Sequence, residues 1–589
     1  MNYDDQFTGH GLNHLFYAGH RQLLPFMIEH GASLQTSSSA GERLPPIVFA
    51  TYTETADITG VTALLANGAD INATTSGGHT ALDWALRRGE TPLVAFLRSQ
   101  GAVNGPTPGR TKVIPENAIP SDAVGRASAL RDAVQRAVKI LQRSSDGFLA
   151  NGFVRKSDCV SCHQQSLPAI AYSRARQRGF LVDESSLARQ LHAQHSSWTK
   201  TLDASYELFE PQRDAPTDLG YGLVGLKSLG YSPDELTESM VWYLANSQLE
   251  NGAFFSYDRR PPLEEGQIVG TTWAVGALRS FPQPIKTLDL DRCFAKAMAW
   301  LLAAEPQDPN QQLHQLLGLG WAGAQSSELK TIVDKVLSAQ RPDGGWGSLP
   351  ELPGDAWATG MTLFVLHEVG GVAAKDEHYR RGVDFLLRTQ FADGSWRVPS
   401  RTWPVLPHFD SGFPHGKDQW ISAAGTSWAV IALLNEIEPT AEQKDIPKAQ
   451  LLMAKYPANS PPLRGSGDPV KPATATAVDG VFTRDILPIF RKSCAACHIG
   501  DNPQGDFKLD SMVGLLKGGQ SGEPAVVPGK PEASPLIRYV TDQVQDLEMP
   551  PLAERSKYPA LTKDEVEKLT AWIGQESNWH QGKSVPASQ

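Results

Sequence analysis

Cysteine is scarce, with five in 589 residues: Cys159, Cys162, Cys293, Cys494 and Cys497. That density excludes a framework stapled by disulfides. Positive charge is not in excess either. The chain has 54 Lys and Arg against 64 Asp and Glu, a formal net charge of −10. A mildly acidic chain does not hold nucleic acid through its net field, so no nucleic-acid partner is expected. No run of about 18 apolar residues occurs, and no transmembrane segment is expected. The first residues, Met1-Asn2-Tyr3-Asp4-Asp5, lack the basic and apolar regions of a signal peptide. What is present is a folding composition, 41% hydrophobic and 20% charged. The length predicts about four domains.

Residues 1–105 contain an internal repeat. Gly31-Ala32, Gly68-Ala69 and Gly101-Ala102 each close a Leu-rich stretch, at separations of 37 and 33 residues. The third unit reads Gly78-His79-Thr80-Ala81-Leu82-Asp83-Trp84-Ala85, then Thr91-Pro92-Leu93-Val94. This resembles the ankyrin repeat, a turn followed by two short antiparallel helices. Thr80 is expected to cap the first helix, and Gly68 and Gly101 to end the second by supplying positive φ. Such units stack to bury their apolar faces and serve either as a capping scaffold or as a partner-binding surface. Residues 106–126, with Pro106, Pro108, Pro115 and Pro120, read as a linker.

A longer repeat fills residues 127–440. Its turn signature appears as Gln142…Asp146-Gly147-Phe148, Gln248…Asn251-Gly252-Ala253-Phe254, Gln340…Asp343-Gly344-Gly345-Trp346 and Gln390…Asp393-Gly394-Ser395-Trp396. Asp-Gly and Asn-Gly form turns, and the aromatic that follows is placed to pack back on the helix just ended. Between the turns run helices of small residues, such as Gly270-Thr271-Thr272-Trp273-Ala274-Val275-Gly276, which imply close packing on every side. Six outer helices are expected near 128–142, 185–199, 234–247, 291–304, 327–339 and 377–389. Six inner helices are expected near 166–179, 217–229, 270–280, 311–323, 356–369 and 424–437. Six hairpins close an (α/α)6 ring. The turns are similar to those of the terpenoid cyclase and prenyltransferase toroids over about 310 residues. That resemblance implies the fold, with a ligand cavity at the centre. It does not carry the chemistry: Asp289-Leu290-Asp291-Arg292 lacks the last acid of a D-x-D-D motif and precedes an outer helix, and a zinc-type prenyltransferase ligand set is not apparent. The tryptophans of this region line a sugar or isoprenoid pocket on one reading and are core on the other. A Pro-rich linker spans 441–475, and a compact small all-α domain spans 476–580.

Cys494-Ala495-Ala496-Cys497-His498 is the C-x-x-C-H signature of covalent c-type haem. Two thiols on one helical turn reach the two vinyl groups of one haem, and the adjacent histidine meets the iron. Zinc and a redox dithiol are the alternatives. A thioether ligand is expected about 40–60 residues on. Met549, in Leu547-Glu548-Met549-Pro550-Pro551, stands 51 residues after His498, and Met512 only 14. With Asp485-Ile486-Leu487-Pro488-Ile489-Phe490 and Trp572-Ile573 around it, the segment resembles planctomycete-type class I-like cytochrome c domains. The resemblance implies that His498 and Met549 ligate the iron and raise its potential.

Cys159-Val160-Ser161-Cys162-His163 is a second copy, just before the first inner helix. It predicts a second haem at one mouth of the ring, with His163 as axial ligand, and zinc again as the alternative. Inner helix 6 neighbours inner helix 1 in a closed ring. The long loop before helix 6, Pro407-His408 to Trp420, therefore offers His408 or His415 as sixth ligand. His192, His195, His314 and His367 are further candidates. An open sixth position would instead admit peroxide or nitric oxide. Cys293 is left as a buried small hydrophobe.

Haem is attached to C-x-x-C-H only in exported compartments, so a periplasmic protein is expected although no signal is visible. The expectation is a mainly α, dihaem c-type cytochrome, with haem c held by Cys159, Cys162, His163, Cys494, Cys497, His498 and Met549. It would exchange electrons with a redox partner protein docked by the ankyrin repeats. The alternative is a haem-dependent redox enzyme with a substrate pocket in the toroid.

Overall fold

The computed structural model describes residues 23–574, apart from 33, 35–36, 40–41, 53, 55, 107–112, 152–160, 209–213, 257–259, 283–287, 403–409, 440–447, 457–484, 499–503, 508, 510–514, 516–517, 520–522, 528 and 546. The chain divides into two compact units, Met1–Leu463 and Arg464–Gln589.

In the first unit, α1 (Leu24–Glu29) is followed by an antiparallel pair, β1 (Ser37–Ser39) and β2 (Glu42–Leu44), then α2 (Pro46–Phe49), α3 (Thr59–Ala66), α4 (Ala81–Ala85) and α5 (Pro92–Ser99). The repeat is visible in the helix ends. Gly31, Gly68 and Gly101 take φ of 83°, 84° and 86°. The amide after each bonds five residues back: Ala32 to Met27, Ala69 to Leu64 and Ala102 to Leu97, at 2.9, 3.0 and 3.0 Å. This is the left-handed cap the sequence predicts at Gly68 and Gly101. Thr80 caps α4 in a capping box with Asp83. Asn72 ties one unit to the next, its Oδ1 accepting from Val103 N at 2.9 Å. Leu64, Val61, Leu82, Leu93, Val94 and Leu97 form the core of this segment.

The toroid follows as α6 (Ala123–Ala150), α7 (Leu167–Arg176), α8 (Glu184–Thr199), α9 (Leu202–Tyr206), α10 (Ala215–Ser228), α11 (Glu235–Ser247), α12 (Gly266–Ser280), α13 (Leu290–Ala303), α14 (Pro309–Ala322), α15 (Ser326–Ser338), α16 (Ala356–Glu368), α17 (Glu377–Thr389) and α18 (Gln419–Leu434). The inner helices α7, α10, α12, α14, α16 and α18 pack each on the next, and α18 packs on α7, so the ring closes. Neighbouring inner helices run parallel. Gly220 lies against Trp273 while Gly270 lies against Pro216, and Gly360 lies against Trp428 while Gly425 lies against Trp357. A Cβ on Gly220 or Gly360 would fall within 2.5 or 2.6 Å of the adjoining helix, which is why small residues are needed there. All six inner N-termini therefore point to one mouth, and acids precede five of them: Asp214, Glu265, Asp308, Asp355 and Asp418.

Three of the four turn signatures share one hydrogen-bond scheme. Gln248, Gln340 and Gln390 each donate from Nε2 to the glycine carbonyl of their own turn, at 2.9–3.0 Å, and also to the carbonyl of Cys293, His378 or Ala133 on the next outer helix, at 2.8–2.9 Å. Asn251, Asp343 and Asp393 each accept from the amide two residues on. Trp346 and Trp396 Nε1 reach back to Val336 and Leu386 carbonyls at 2.8 Å, on the helix just ended, as the sequence predicts. The signature at 142–148 behaves differently. Expected as a turn, it is helical, and α6 runs to Ala150. The Asp146 carboxylate is taken by Arg189 and Gln190 and not by its own backbone. Gly147 serves for close approach, lying against the Ser411 carbonyl.

Two segments expected as linkers make fixed contacts. Asn117, within 106–126, donates from its backbone to Arg388 O and from its side chain to Gln390 O, at 2.9 and 2.7 Å. Within 441–475, α19 (Ala449–Lys455) packs on α8. The N-terminal repeats also pack on the toroid. Arg88 and Arg401 both bind the buried Glu54 carboxylate, at 2.9 and 2.6 Å.

In the second unit, α20 (Leu487–Ser493), α21 (Ala495–His498), α22 (Pro535–Val540) and α23 (Lys563–Gly574) surround a core of Ile486, Phe490, Leu509, Leu536, Leu569 and Trp572. No described helix of the chain is long and apolar enough to cross a membrane.

Candidate functional site

The C-terminal motif begins where α20 ends. Cys494 N still bonds Phe490 O at 3.0 Å, and the amides of Cys497 and His498 both bond Cys494 O at 3.2 Å. One tight turn thus carries both thiols and the histidine. Cys494 and Met549 are partly buried against the same apolar core. Burial and the neighbouring Cys497 push the Cys494 thiol up to about 12. His498 Nδ1 lies 3.1 Å from Gln504 O, and burial holds its pKa below the ordinary value. With Nδ1 donating to that carbonyl, Nε2 carries the lone pair that an iron needs. Phe507 packs edge-on against the ring at 5.1 Å and Leu509 N bonds His498 O, so the imidazole is oriented from both sides. Met549 is positioned by its amide, which bonds Tyr539 O at 2.9 Å. The donor set, one imidazole, one thioether and two thiols around an apolar core, fits covalent haem. Met512 lies outside the described residues.

The toroid motif stands at the ring mouth. Cys159 lies outside the described residues. Cys162–Ser166 form one π-helical turn leading into α7, held by Ser145 Oγ on Gln164 O and by Gln165 Oε1 on Ser161 N, at 2.5 and 2.8 Å. Such turns recur at functional sites. His163 is buried. Its Nδ1 lies 2.8 Å from Ser161 Oγ, and its ring meets Trp420 and Phe148 edge-on. Burial and the Arg260 charge hold its pKa down to about 3, so the imidazole is neutral. Cys162 Sγ donates to Asp218 Oδ1 at 3.3 Å. Burial and the Asp218 and Glu264 carboxylates push the thiol pKa well up. Glu264 is paired with Arg260, whose Nε reaches it at 3.0 Å. The fit to haem is divided here: the histidine is presented much as His498 is, but the thiol is turned onto an acidic cluster.

His408 lies outside the described residues. His415 is buried, with Nε2 at 2.8 Å from Ser395 Oγ and its ring between Phe391 and Phe413. Trp420, in the first turn of α18, is in ring contact with His163. His192 Nε2 lies on the Met453 and Tyr456 carbonyls, His195 beside Thr199, and His367 Nδ1 on Val372 O. His314 is fully buried, its Nδ1 on Asn310 O, and burial lowers its pKa to about 4. Cys293 is half-buried on α13 with its Sγ toward Ala245 O.

Sequence reasoning missed the acids of the mouth. Asp218, the adjacent pair Glu264-Glu265, and Asp308 come from three separate repeats and form no motif along the chain. The one sequence signal is their common place just before or within the first turn of an inner helix. The ring centre is aromatic: Tyr221 stacks on Trp273 at 3.6 Å, and Trp273 and Trp428, from opposite helices α12 and α18, stand 6.3 Å apart.

Residues 494–552 match the family model described as Planctomycete cytochrome C. The match implies covalently bound haem c and a haem-binding, electron-transfer role for this segment. Over 125 residues, 20% of the chain, there is 26% identity to lanosterol synthase ERG7 of Saccharomyces cerevisiae. The matched part spans 15% of that protein's length. Among solved structures, ent-copalyl diphosphate synthase from Streptomyces platensis aligns over 72% of this chain and 94% of its own, at 13% identity and a TM-score of 0.32.

Proposed function

We propose that this protein is an exported c-type cytochrome that passes electrons between a partner oxidoreductase and the haem of its C-terminal unit. The observation that carries this is the presentation of His498. Its Nδ1 is engaged by Gln504 O, which leaves Nε2 for the metal, with Cys494 and Met549 on the same core. Bound there, haem c supplies a one-electron ferric/ferrous couple. Cys494 and Cys497 tether it, His498 and Met549 ligate it, and the Phe490–Trp572 core excludes water from it. The N-terminal repeats, read as ankyrin repeats, are the proposed docking surface for the partner. Export follows from the attachment chemistry, since the machinery that joins haem to C-x-x-C-H works outside the cytoplasm.

The test is expression with and without cytochrome c maturation factors, followed by a pyridine haemochrome assay, intact mass and redox titration. Haem must appear only with those factors and resist carbon monoxide as a six-coordinate centre. Full haem loading without them would defeat the reading. A rapid reaction of the ferrous protein with carbon monoxide or peroxide would favour the redox-enzyme alternative.

The number of haems turns on the toroid motif. His163, with Nδ1 engaged by Ser161 and Nε2 without a hydrogen bond among the described residues, favours a second axial ligand there. The surroundings of Cys162 favour a different occupant.

A further inference from the structure

Cys162, Asp218 and Glu264 each offer a ligand atom, and these atoms lie within 4.8 Å of one another. Three successive repeats supply them: the turn before α7, the first turn of α10 and the residue two before α12. The Cys162 Sγ to Asp218 Oδ1 separation is 3.3 Å. A zinc-sized ion with one sulfur and one carboxylate arm needs about 3.6 Å between those atoms in a tetrahedron. The Cys162–Asp218 edge is close to that separation, and the Glu264 ligand atom lies within 4.8 Å of both.

A second, independent observation points to the same place. The Tyr221 hydroxyl is fully buried beside the Trp273 indole N–H, and neither group makes a hydrogen bond of ordinary geometry among the described residues. The hydroxyl lies in the field of Cys162 and Glu264. A buried hydroxyl left unpaired is a standing cost that a ligand or a ligand-held water removes.

We propose that the toroid motif is a divalent-metal site built from Cys162, Asp218 and Glu264, and that Cys162 is not a haem attachment point. The ion belongs to the zinc or ferrous class, because a thiolate ligand selects against magnesium and calcium. Binding forms a metal–sulfur bond and releases the Cys162 thiol proton to solvent. Three protein ligands leave a position of a four-coordinate ion for water or a substrate atom, the pattern of sites that do chemistry.

The experiment uses the full chain matured with haem, so that Cys494 and Cys497 are blocked and the C-terminal haem spectrum is an internal control. Metal is removed by chelation and Co2+ is added, with zinc content measured in parallel. The expected result is one haem per chain, one equivalent of zinc, and a cobalt–thiolate charge-transfer band in the haem-subtracted spectrum. The band is lost in Cys162→Ser and weakened at least tenfold in affinity in Asp218→Asn and Glu264→Gln, while thermal unfolding of each variant verifies its fold. Two haems per chain, with the Cys162 peptide carrying a haem adduct, would overturn the proposal. So would a chain with one haem that retains neither zinc nor cobalt. Failure of the C-terminal haem to load would instead count against the electron-transfer reading alone.

Discussion

The carboxylate of Glu54 in the N-terminal repeats is bound by Arg401 Nε at 2.6 Å, although 347 residues separate the two in sequence. Arg88 holds the other oxygen at 2.9 Å and also donates to Arg401 O at 3.1 Å. The Arg88, Glu54 and Arg401 side chains are 3%, 9% and 3% exposed, so the triad is dry. Burial alone would raise the Glu54 pKa, but Arg401 and Arg88 overcome it and hold the carboxyl below its usual value. Glu54→Gln leaves two buried guanidiniums without the carboxylate they share. The expected cost is about 3–5 kcal/mol, read as a lower denaturation midpoint of the first unit. The sign of the pH dependence follows. A depressed folded-state pKa contributes stability that is present above the unfolded value of 4.5 and lost as pH falls through the folded one. The difference between wild type and Glu54→Gln should therefore shrink below about pH 4.

Gln390 closes the ring. Its Nε2 reaches Ala133 O on α6 at 2.9 Å and Gly394 O at 3.0 Å, and its Oε1 accepts from Arg136 at 2.6 Å. Gln390→Ala removes all three, taking the Gln390 donor from the Gly394 carbonyl and its acceptor from Arg136. A loss of about 2–3 kcal/mol is expected in urea unfolding. Gln340→Ala breaks the matching pair to the Gly344 and His378 carbonyls and the 2.8 Å contact of its Oε1 with His378 Nδ1, and is expected to cost less, because a histidine and not an arginine depends on it. Equal costs for the two variants would show that the first-to-last junction has no special weight.

These turns were legible in the sequence because each residue plays a local part. Gln bridges, Asp or Asn closes the turn, Gly supplies φ of 99°, 90° and 92° at 252, 344 and 394, and Trp reaches back. Counting helical pairs gives the six hairpins, while α6 and α18 begin about five residues earlier than expected and α6 also runs on to Ala150. The exception at 142–148 arises because Asp146 finds Arg189 and Gln190, a tertiary partnership that overrides turn propensity. The C-terminal site was legible because its three motif residues share one turn. The acidic cluster at Cys162 was not. Asp218 lies 56 residues from it and joins it only when the ring closes the distance.

Asp355 precedes α16 and accepts from Ala358 N at 2.9 Å, yet burial raises its pKa to about 6. A raised carboxyl pKa means the folded state prefers the proton. Its contribution is present below the unfolded value of 3.8 and lost as pH rises through about 6. Asparagine keeps the cap without the charge. Asp355→Asn is expected to stabilise the protein by on the order of 1–2 kcal/mol at pH 7 and to be neutral near pH 4. Thermal unfolding at the two pH values checks this, and a destabilised variant at pH 7 would mean the helix dipole outweighs the burial.

Met549 is the one methionine among the described residues packed on the same C-terminal core as Cys494. A thioether stabilises ferrous over ferric iron, so its loss lowers the potential. Met549→Ala is expected to lower the midpoint potential by on the order of 100 mV. It should also open the ferrous iron to carbon monoxide, while haem attachment, which depends on Cys494 and Cys497, continues. Gln504 offers no equivalent handle, because it is the backbone oxygen that orients His498. Redox titration and a carbon monoxide difference spectrum separate the outcomes. An unchanged potential with no carbon monoxide binding would remove Met549 from the coordination sphere and leave the second ligand among residues outside this loop.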